Sequence, residues 1–535
     1  MYIIGINGSF YRGHDPSVTI VKDGRVTFAC EEERLNRIKH SPGWMPVRSI
    51  KAALAFENIT IRDVDFVVYY TNTYKDIENI LKSFFNFNFG YCPPLKFCDH
   101  HLAHAASSYY MSGFKDSLIL TLDNTGDSRS TLIGHAKDME ITTVKHITSD
   151  NSLGLFYGML TQFLGFEMLS DEYKVMGLSA YGKPDVDFSK IIRPTKEGFE
   201  LGQSSIKRDF HASQAPFVAQ QHLFSEFWGK TFGCPPRLKG SQITEHYKNI
   251  AASGQRALEN CAIRLLEIAA ENNDSKNLSL AGGVALNCVM NYKLLHSENI
   301  KNIFIQPAAY DAGTSLGAAL RVSIEEGEKI KPNENIYLGP GYDNESIKKA
   351  LDLVHAQYDY HDNIHGVVAE LITQGKIVGW FQGRMEWGPR ALGNRSILAD
   401  PRDPQMKDKI NSRIKFREEF RPFAPAVLEE KAKKYFENII PSPYMTITFP
   451  VISDEIPAVT HVNNTGRVQT INRQQNKMYY DMINEFYKMT GVACVLNTSL
   501  NVMGQPIVCT PLDAISTFWG TGMDAIAIGN YLVKK

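Results

Sequence analysis

His100 and His104 stand four residues apart in the segment HHLAHAASSYYMSG, a spacing that on a helix stacks both imidazoles on one face about 6 Å apart at Cβ. Two imidazoles at that separation can share one metal ion, while His101 points elsewhere. Two carboxylates occupy chain positions that could complete the site. Asp123 closes the apolar run SLILTLD, and Asp311 lies in a strand-to-helix turn, from which side chains reach into a cleft. Two imidazoles and two carboxylates make a hard-to-borderline donor set suited to Fe, Mn, Zn or Mg, with room for a substrate oxygen. An isolated HxxxH is equally the spacing of a surface or core pair, and zincin chemistry is disfavoured because no HExxH glutamate lies between the histidines.

Glycine turns form a second constellation. Gly282-Gly283 follows an apolar strand, with Asn287 on the next helix, and could bring backbone N–H groups to a phosphate or ribose at a helix N-terminus. Gly126, with Asp127 beside it, and Gly313 offer similar strand-end turns. Each is by itself an ordinary turn; their recurrence at three strand ends points to nucleotide binding. The third constellation is cationic. Arg384, Arg390, Arg395, Arg402, Arg413, Arg417 and Arg421 crowd one segment with Lys407, Lys409 and Lys415, set among Gly, Pro and aromatic residues in GPRALGNR and FRPFAP. Guanidinium forks in such settings suit small dianions such as phosphates. A solvated charged face is the plain alternative.

The elements that must position these groups alternate between strand and helix. Strands are expected at Tyr2–Asn7, Ser17–Lys22 and Arg25–Cys30, with an Asp23-Gly24 hairpin turn. A second version of this scheme starts at Asp116, so the chain reads as a duplicated α/β fold or as two unrelated hairpins. Asp99 is an available N-cap and Gly113 a stop for the helix that carries the histidines. Strand, turn and helix recur in NLSLAGGVALNCVMNYKLL and again in NIFIQPAAYDAGTSLGAALRVSIEEGEK. The hydrophilic stretch EEGEKIKPNEN is the expected linker, with a domain boundary near residue 335.

Composition excludes several classes. The chain has 535 residues, 43% of them hydrophobic, which allows about two to four domains with sizeable cores. Its 57 Lys+Arg against 58 Asp+Glu give the whole chain no electrostatic attraction to nucleic acid or an anionic membrane. No leader pattern or long apolar span is found. The eight scattered cysteines read as reduced core thiols of a cytoplasmic protein.

The segments HHLAHAAS, EYKVMGLSAYG, LSLAGGVALN, GPRALGNRSILADPR, INSRIKFREEFRPFAP and LNTSLNVMGQPIV together resemble the motifs of the carbamoyltransferase family that includes the nodulation-factor, cephamycin and tobramycin enzymes. The resemblance runs from IIGINGSFYRGHDPS to AIAIGNYL. It implies an α/β architecture in two parts: a duplicated actin-like ATPase (ASKHA) domain with a metal site over residues 1–335, and a YrdC-like α/β domain over 336–535. It further implies that carbamoyl phosphate and ATP give carbamoyl adenylate in the C-terminal part. The N-terminal site then passes the carbamoyl group to a hydroxyl of a small natural-product acceptor, as in antibiotic biosynthesis. By motif, the metal ligands are His100, His104, Asp123 and Asp311, with Fe2+ placed before Mn2+, Zn2+ or Mg2+. Arg390, Lys415, Arg421 and Arg467 are the implied anion clamp, and Arg384, Arg395, Asn497, Ser499 and Asn501 join the nucleotide and carbamoyl-phosphate contacts. His14, in GHDPS, falls beside the transfer centre as a base or as a loop hydrogen-bonder.

Three departures bear on specificity: the turn Asp123-Asn-Thr-Gly-Asp127-Ser, Gln505 in place of a glutamate, and HVNNTGRVQT in place of HVDGTARVQT. The acceptor pocket is expected from residues 185 to 245 and from Tyr11 and Arg12. No nucleic-acid or membrane partner is expected, and a homodimer is. Rival readings are an ASKHA kinase, a tRNA threonylcarbamoyl-type transferase and a non-catalytic nucleotide-binding partner.

Overall fold

Strand β1 (Tyr2–Asn7) pairs antiparallel with β2 (Ser17–Lys22), Tyr2 opposite Lys22 and Asn7 opposite Ser17. Asp23 and Gly24 both take positive φ in the turn to β3 (Arg25–Glu31), the twist-matched geometry of a tight hairpin. Strands β4 (Phe66–Tyr69) and β5 (Leu95–Phe97) extend this sheet on the far side of β1, in the order β3-β2-β1-β4-β5. The computed structural model describes residues 1–10, 13–71, 73, 76–206, 222–333 and 335–535.

The same plan recurs. Strands β6 (Asp116–Gly126), β7 (Arg129–Lys137) and β8 (Glu140–Thr148) form an antiparallel meander. After a small hairpin of β9 (Ile192–Thr195) and β10 (Gly198–Leu201), strands β11 (Asn277–Ala281) and β12 (Asn302–Ile305) add in parallel on the far side of β6. The order β12-β11-β6-β7-β8 is that of the first sheet written backwards. The expected duplication of an α/β plan is therefore real.

By packing, the chain divides into two compact units. One comprises residues 69–77 and 97–324; the other joins residues 1–68 and 78–96 to 325–535. Within the second, the linker segment lies on the first hairpin: Glu328 accepts from the Gly24 amide at 2.9 Å, and the Ala29 amide donates to Leu338 at 3.1 Å. The same unit holds an eight-stranded mixed sheet of β13 (Asp359–Tyr360), β14 (Val378–Phe381), β15 (Arg395–Ala399), β16 (Ala424–Leu428), β19 (Gln469–Ile471), β20 (Cys494–Ser499), β21 (Ala525–Ile528) and β22 (Tyr531–Lys534). Its order is β13-β22-β21-β14-β15-β20-β16-β19, and β17 (Thr448–Pro450) pairs separately with β18 (Thr465–Arg467). Helices Ile364–Thr373 and Lys477–Thr490 pack against each other, and Val368, Ile372, Met482 and Ile483 on them are buried.

Two helices of the first-named unit decide where the candidate metal ligands lie. His100–Ser112 lies on β6 and β11, with Ala103, Ala105 and Ala106 fully buried. Helix Ala312–Glu325 crosses it so closely that a Cβ on Gly317 would stand 1.7 Å from the Ala103 carbonyl oxygen. Only glycine permits that approach, and the approach brings Asp311, one residue before the helix, beside the histidines. No helix among the described residues is long and apolar enough to cross a membrane.

Candidate functional site

Asp99 caps the histidine helix, its Oδ1 accepting from the Leu102 amide at 3.0 Å, and Gly113 ends it in the left-handed conformation, both as expected. His100 and His104 then stack with ring centroids 4.7 Å apart. His100 Nε2 is 3.2 Å from Asp123 Oδ2 and 3.9 Å from Asp311 Oδ1. His104 Nε2 stands 3.9 Å from Asp123 Oδ2 and 3.8 Å from Asp311 Oδ1. One donor atom from each residue lies within 4.8 Å of all the others.

The residues fit a divalent cation, and the sign of it is His104. Its side chain is fully buried, yet neither ring nitrogen has a hydrogen-bond partner among the described residues. A buried polar atom left unpaired is costly unless something bonds it. Four ligands about 2.1 Å from a tetrahedral ion stand roughly 3.4 Å apart, within the 3.2 to 3.9 Å span of the observed contacts. Burial opposes charging of His100, but its hydrogen bond to Asp123 and the charges of Asp311, Asp123 and Asp127 hold its pKa at about 8. Burial would likewise raise the Asp123 carboxyl; the His100 hydrogen bond and the surrounding imidazoles keep it far below the ordinary range. His101 faces away, bonded to the Thr121 hydroxyl at 2.6 Å, and burial holds its pKa at about 3.

The expected nucleotide turns surround this cage, each with a structural employment. The Gly283 amide donates to Asp123 Oδ1 at 2.9 Å, which leaves Oδ2 to face the histidines. A Cβ on Gly126 would lie 2.0 Å from the His100 ring. Asp127 Oδ2 accepts from the His100 amide at 2.9 Å, and its Oδ1 from the Thr71 and Thr73 hydroxyls. Asn287 caps its own helix through the Met290 amide and bonds Gln255. Gly313 passes close to the Ala308 carbonyl at the start of its helix.

In the other unit, His14 Nδ1 meets Asp15 Oδ2 at 2.7 Å, and His40 Nδ1 meets Asp15 Oδ1 at 2.8 Å. Asp15 stands beside His14 in GHDPS but was assigned no role there, and His40 stands in no motif spacing. Tyr11, Arg12 and residues 207–221 of the expected acceptor region lie outside the described residues.

The arginine segment proves to be two kinds of cation. Arg395 is fully buried, and its guanidinium bonds to the carbonyls of Gln382, Asn394, Pro340 and Gly383. Arg384 bonds those of Gly339, Thr27 and Leu338 and stacks over Phe56. Both are thus tied to the chain itself, which departs from the anion-binding role expected of them: desolvated guanidiniums need acceptors, and neutral carbonyls supply them. Lys415 ends the wide π-helical turn Asn411–Lys415. Its ammonium is bonded to the carbonyl oxygens of Ser499 and Asn501 and to the Asn501 side chain, so it knots together two of the expected contact residues. Burial, and then the charges of Arg417 and Arg421, push it well below the ordinary lysine range, which marks a locus short of negative charge. Arg421 is about one-sixth exposed, and Arg390 and Arg467 are half-buried.

The loop that carries Arg390 is pinned by a residue with no sequence signal of its own. Glu386 Oε1 accepts from the amides of Leu392, Asn394 and Arg395, while Asn497 donates to the Ala391 carbonyl at 3.2 Å. A further pair grips the loop from the N-terminal segment. Arg34 donates to the Gly388 carbonyl at 2.9 Å, and the Gly388 amide donates to Glu31 at 3.1 Å.

Comparison with known proteins identifies the family of the chain. The model of the carbamoyltransferase N-terminus matches residues 2–88 and 72–320, and that of the carbamoyltransferase C-terminus matches 369–535. Nodulation protein NolNO of Sinorhizobium fredii is 39% identical over 98% of this chain and 79% of its own length. Nodulation protein NolO of Bradyrhizobium diazoefficiens is 40% identical over 82% of this chain and 79% of its own. A Synechocystis protein, sll1178, is 36% identical over the whole chain and 97% of its own length.

Proposed function

The chain belongs to the carbamoyltransferase family, and from that premise we propose that it converts carbamoyl phosphate and ATP to carbamoyl adenylate and transfers the carbamoyl group to a hydroxyl of a small-molecule acceptor. The observation that carries the reading is the His104 cage, a buried donor set with unpaired nitrogens, on a chain matched by the family in both halves. The cation, iron(II) foremost, would be held by His100, His104, Asp123 and Asp311; when bound it supplies Lewis-acid polarisation of a carbonyl or phosphate oxygen.

The chain's own residues do the rest. Carbamoyl phosphate and ATP bring several negative charges together, and Arg390, Arg421 and Arg467 offset their repulsion, with Lys415 organising the Ser499–Asn501 loop among them. An acceptor hydroxyl is a weak nucleophile near neutral pH, and His14 serves as the base that takes its proton. The protein works in the cytoplasm as a homodimer.

Labelled pyrophosphate release from ATP tests the reading. Release that requires carbamoyl phosphate, with a mass gain of one carbamoyl group on a member of a panel of hydroxylated acceptors, is the expected result. Release independent of carbamoyl phosphate, or phosphorylation of the acceptor in place of carbamoylation, overturns it.

A further inference from the structure

We propose that Asp15 is a positioning residue that holds His14 in the tautomer of a base, with His40 as the second imidazole that keeps Asp15 ionised. The inference rests on the role given to His14 above; its first readout does not.

An ionised carboxylate only accepts hydrogen bonds. Because each Asp15 oxygen meets a different Nδ1, at 2.7 Å for His14 and 2.8 Å for His40, both imidazoles carry their proton on Nδ1. A neutral His14 therefore has its lone pair on Nε2. Asp15 is 5% exposed and the two imidazoles are about one-third exposed; the His40 Nε2 is itself buried, so the carboxylate is the buried hub and His14 the reachable ring. The backbone is bent to achieve this. Asp15 and His40 both adopt positive φ, 56° and 60°, and the Asp15 amide donates to the His40 carbonyl at 2.8 Å. Non-glycine residues held in that sparsely populated region cluster at functional sites.

The charges around the hub are consistent. Burial opposes ionisation of Asp15, but its two histidine hydrogen bonds keep the carboxyl below the ordinary range. Burial also opposes charging of His40; Asp15 and Glu33 outweigh it and the repulsion from Lys39, so the His40 pKa is raised. Glu33 accepts from the His40 amide at 2.7 Å and pairs with Arg34 at 2.6 Å. Asp15, Glu33 and His40 also have donor atoms close enough to hold a cation, but all four carboxylate oxygens already face N–H groups.

In the step this arrangement serves, His14 Nε2 takes the proton of the acceptor hydroxyl as its oxygen bonds to the carbamoyl carbon. The bond from that carbon to the adenylate phosphate oxygen breaks, AMP leaves with the electron pair, and Asp15 stays ionised beside the imidazolium.

Nitrogen-15 histidine NMR on the full chain, assigned with His14→Gln and His40→Gln, reads the tautomers directly. Wild type should show His14 protonated on Nδ1, and Asp15→Asn should move His14 toward the Nε2–H form and lower the His40 pKa. A wild-type Nε2–H tautomer of His14, or imidazole signals indifferent to Asp15→Asn, overturns the proposal, as does broadening by a metal held at Asp15. The kinetic arm uses water as the acceptor. Carbamoyl-phosphate-dependent exchange of labelled pyrophosphate into ATP reports adenylate formation and a folded protein, and AMP release reports transfer. In Asp15→Asn, AMP release should fall about a hundredfold in kcat with little change in KM, and its acid limb should move to lower pH. His40→Gln, which leaves the Asp15 carboxylate in place, should keep the His14 tautomer and lose less rate. Unchanged AMP release in Asp15→Asn overturns the inference, whereas exchange absent from wild type overturns the carbamoyl-adenylate reading and leaves the NMR result to stand or fall by itself.

Discussion

The histidine cage and the arginine segment are both dense in charge, but folding treats them in opposite ways. In the cage, two imidazoles and two carboxylates converge, and the His104 nitrogens have no hydrogen-bond partner among the described residues. In the arginine segment, Arg384 and Arg395 are matched almost completely, to backbone carbonyls. A run of cations in a sequence is therefore a weaker sign of a ligand than a small set of donors that the fold leaves unpaired. Arg390, Arg421 and Arg467 are not fully buried as Arg395 is, and Arg421 lies near enough to Lys415 to oppose its charge.

The largest effect should separate the two regions outright. His104→Ala is expected to lower metal affinity by at least about a hundredfold and to block transfer, while adenylate formation survives. Arg421→Ala is expected to suppress adenylate formation with metal content intact. Elemental analysis beside pyrophosphate exchange measures both; failure of the two variants at the same step would erase the distinction. Next in size is Arg395→Ala. With four carbonyls stripped of their donor, the variant should lose about 3 kcal/mol of stability, seen as a lower denaturant midpoint. A variant as stable as wild type that binds ATP poorly would return Arg395 to the ligand-binding group.

The contrast also explains what could be read from the sequence. The first three strands, the Asp99 cap, the Gly113 stop and the convergence of His100, His104, Asp123 and Asp311 follow from periodicity, capping chemistry and strand-end position, all local properties. The duplication was visible because each half repeats the same meander. Local rules do not reach contacts between distant segments. Nothing near Asp127 tells that it braces the His100 amide, and nothing near Glu386 tells that it gathers three amides of the Arg390 loop. Arg395 was misjudged for the same reason: its acceptors are carbonyls, which every residue has and no motif announces.

A titration sharpens the comparison at the cage. With a folded-state pKa of about 8 against an ordinary value near 6.5, charged His100 stabilises the metal-free protein fully below pH 6.5, and that contribution is lost as pH rises through 8. The difference corresponds to about 2 kcal/mol. A metal ligand must be deprotonated, so cation affinity should strengthen over the same window, with about one proton released per ion near pH 7. Calorimetry in two buffers of unlike ionisation enthalpy counts that proton. Binding with no proton release, or metal-free stability flat between pH 6.5 and 8, would place the charge elsewhere.

The smallest effect tests whether the arginine loop owes its shape to residues far from it in sequence. Gly388 is held from both sides, its carbonyl by Arg34 and its amide by Glu31, and Arg390 follows two positions later. Arg34→Lys keeps the positive charge beside Glu33 but loses the fork that spans to the Gly388 carbonyl. One hydrogen bond to a charged donor contributes about 1.5 kcal/mol, so the KM for carbamoyl phosphate should rise about tenfold if that contribution goes wholly into placing Arg390, and less if the loop relaxes. Metal content should not change. A KM equal to wild type would mean that Glu386 and Asn497 suffice to shape the loop, and a loss of metal would mean that the two charge-dense regions are not independent.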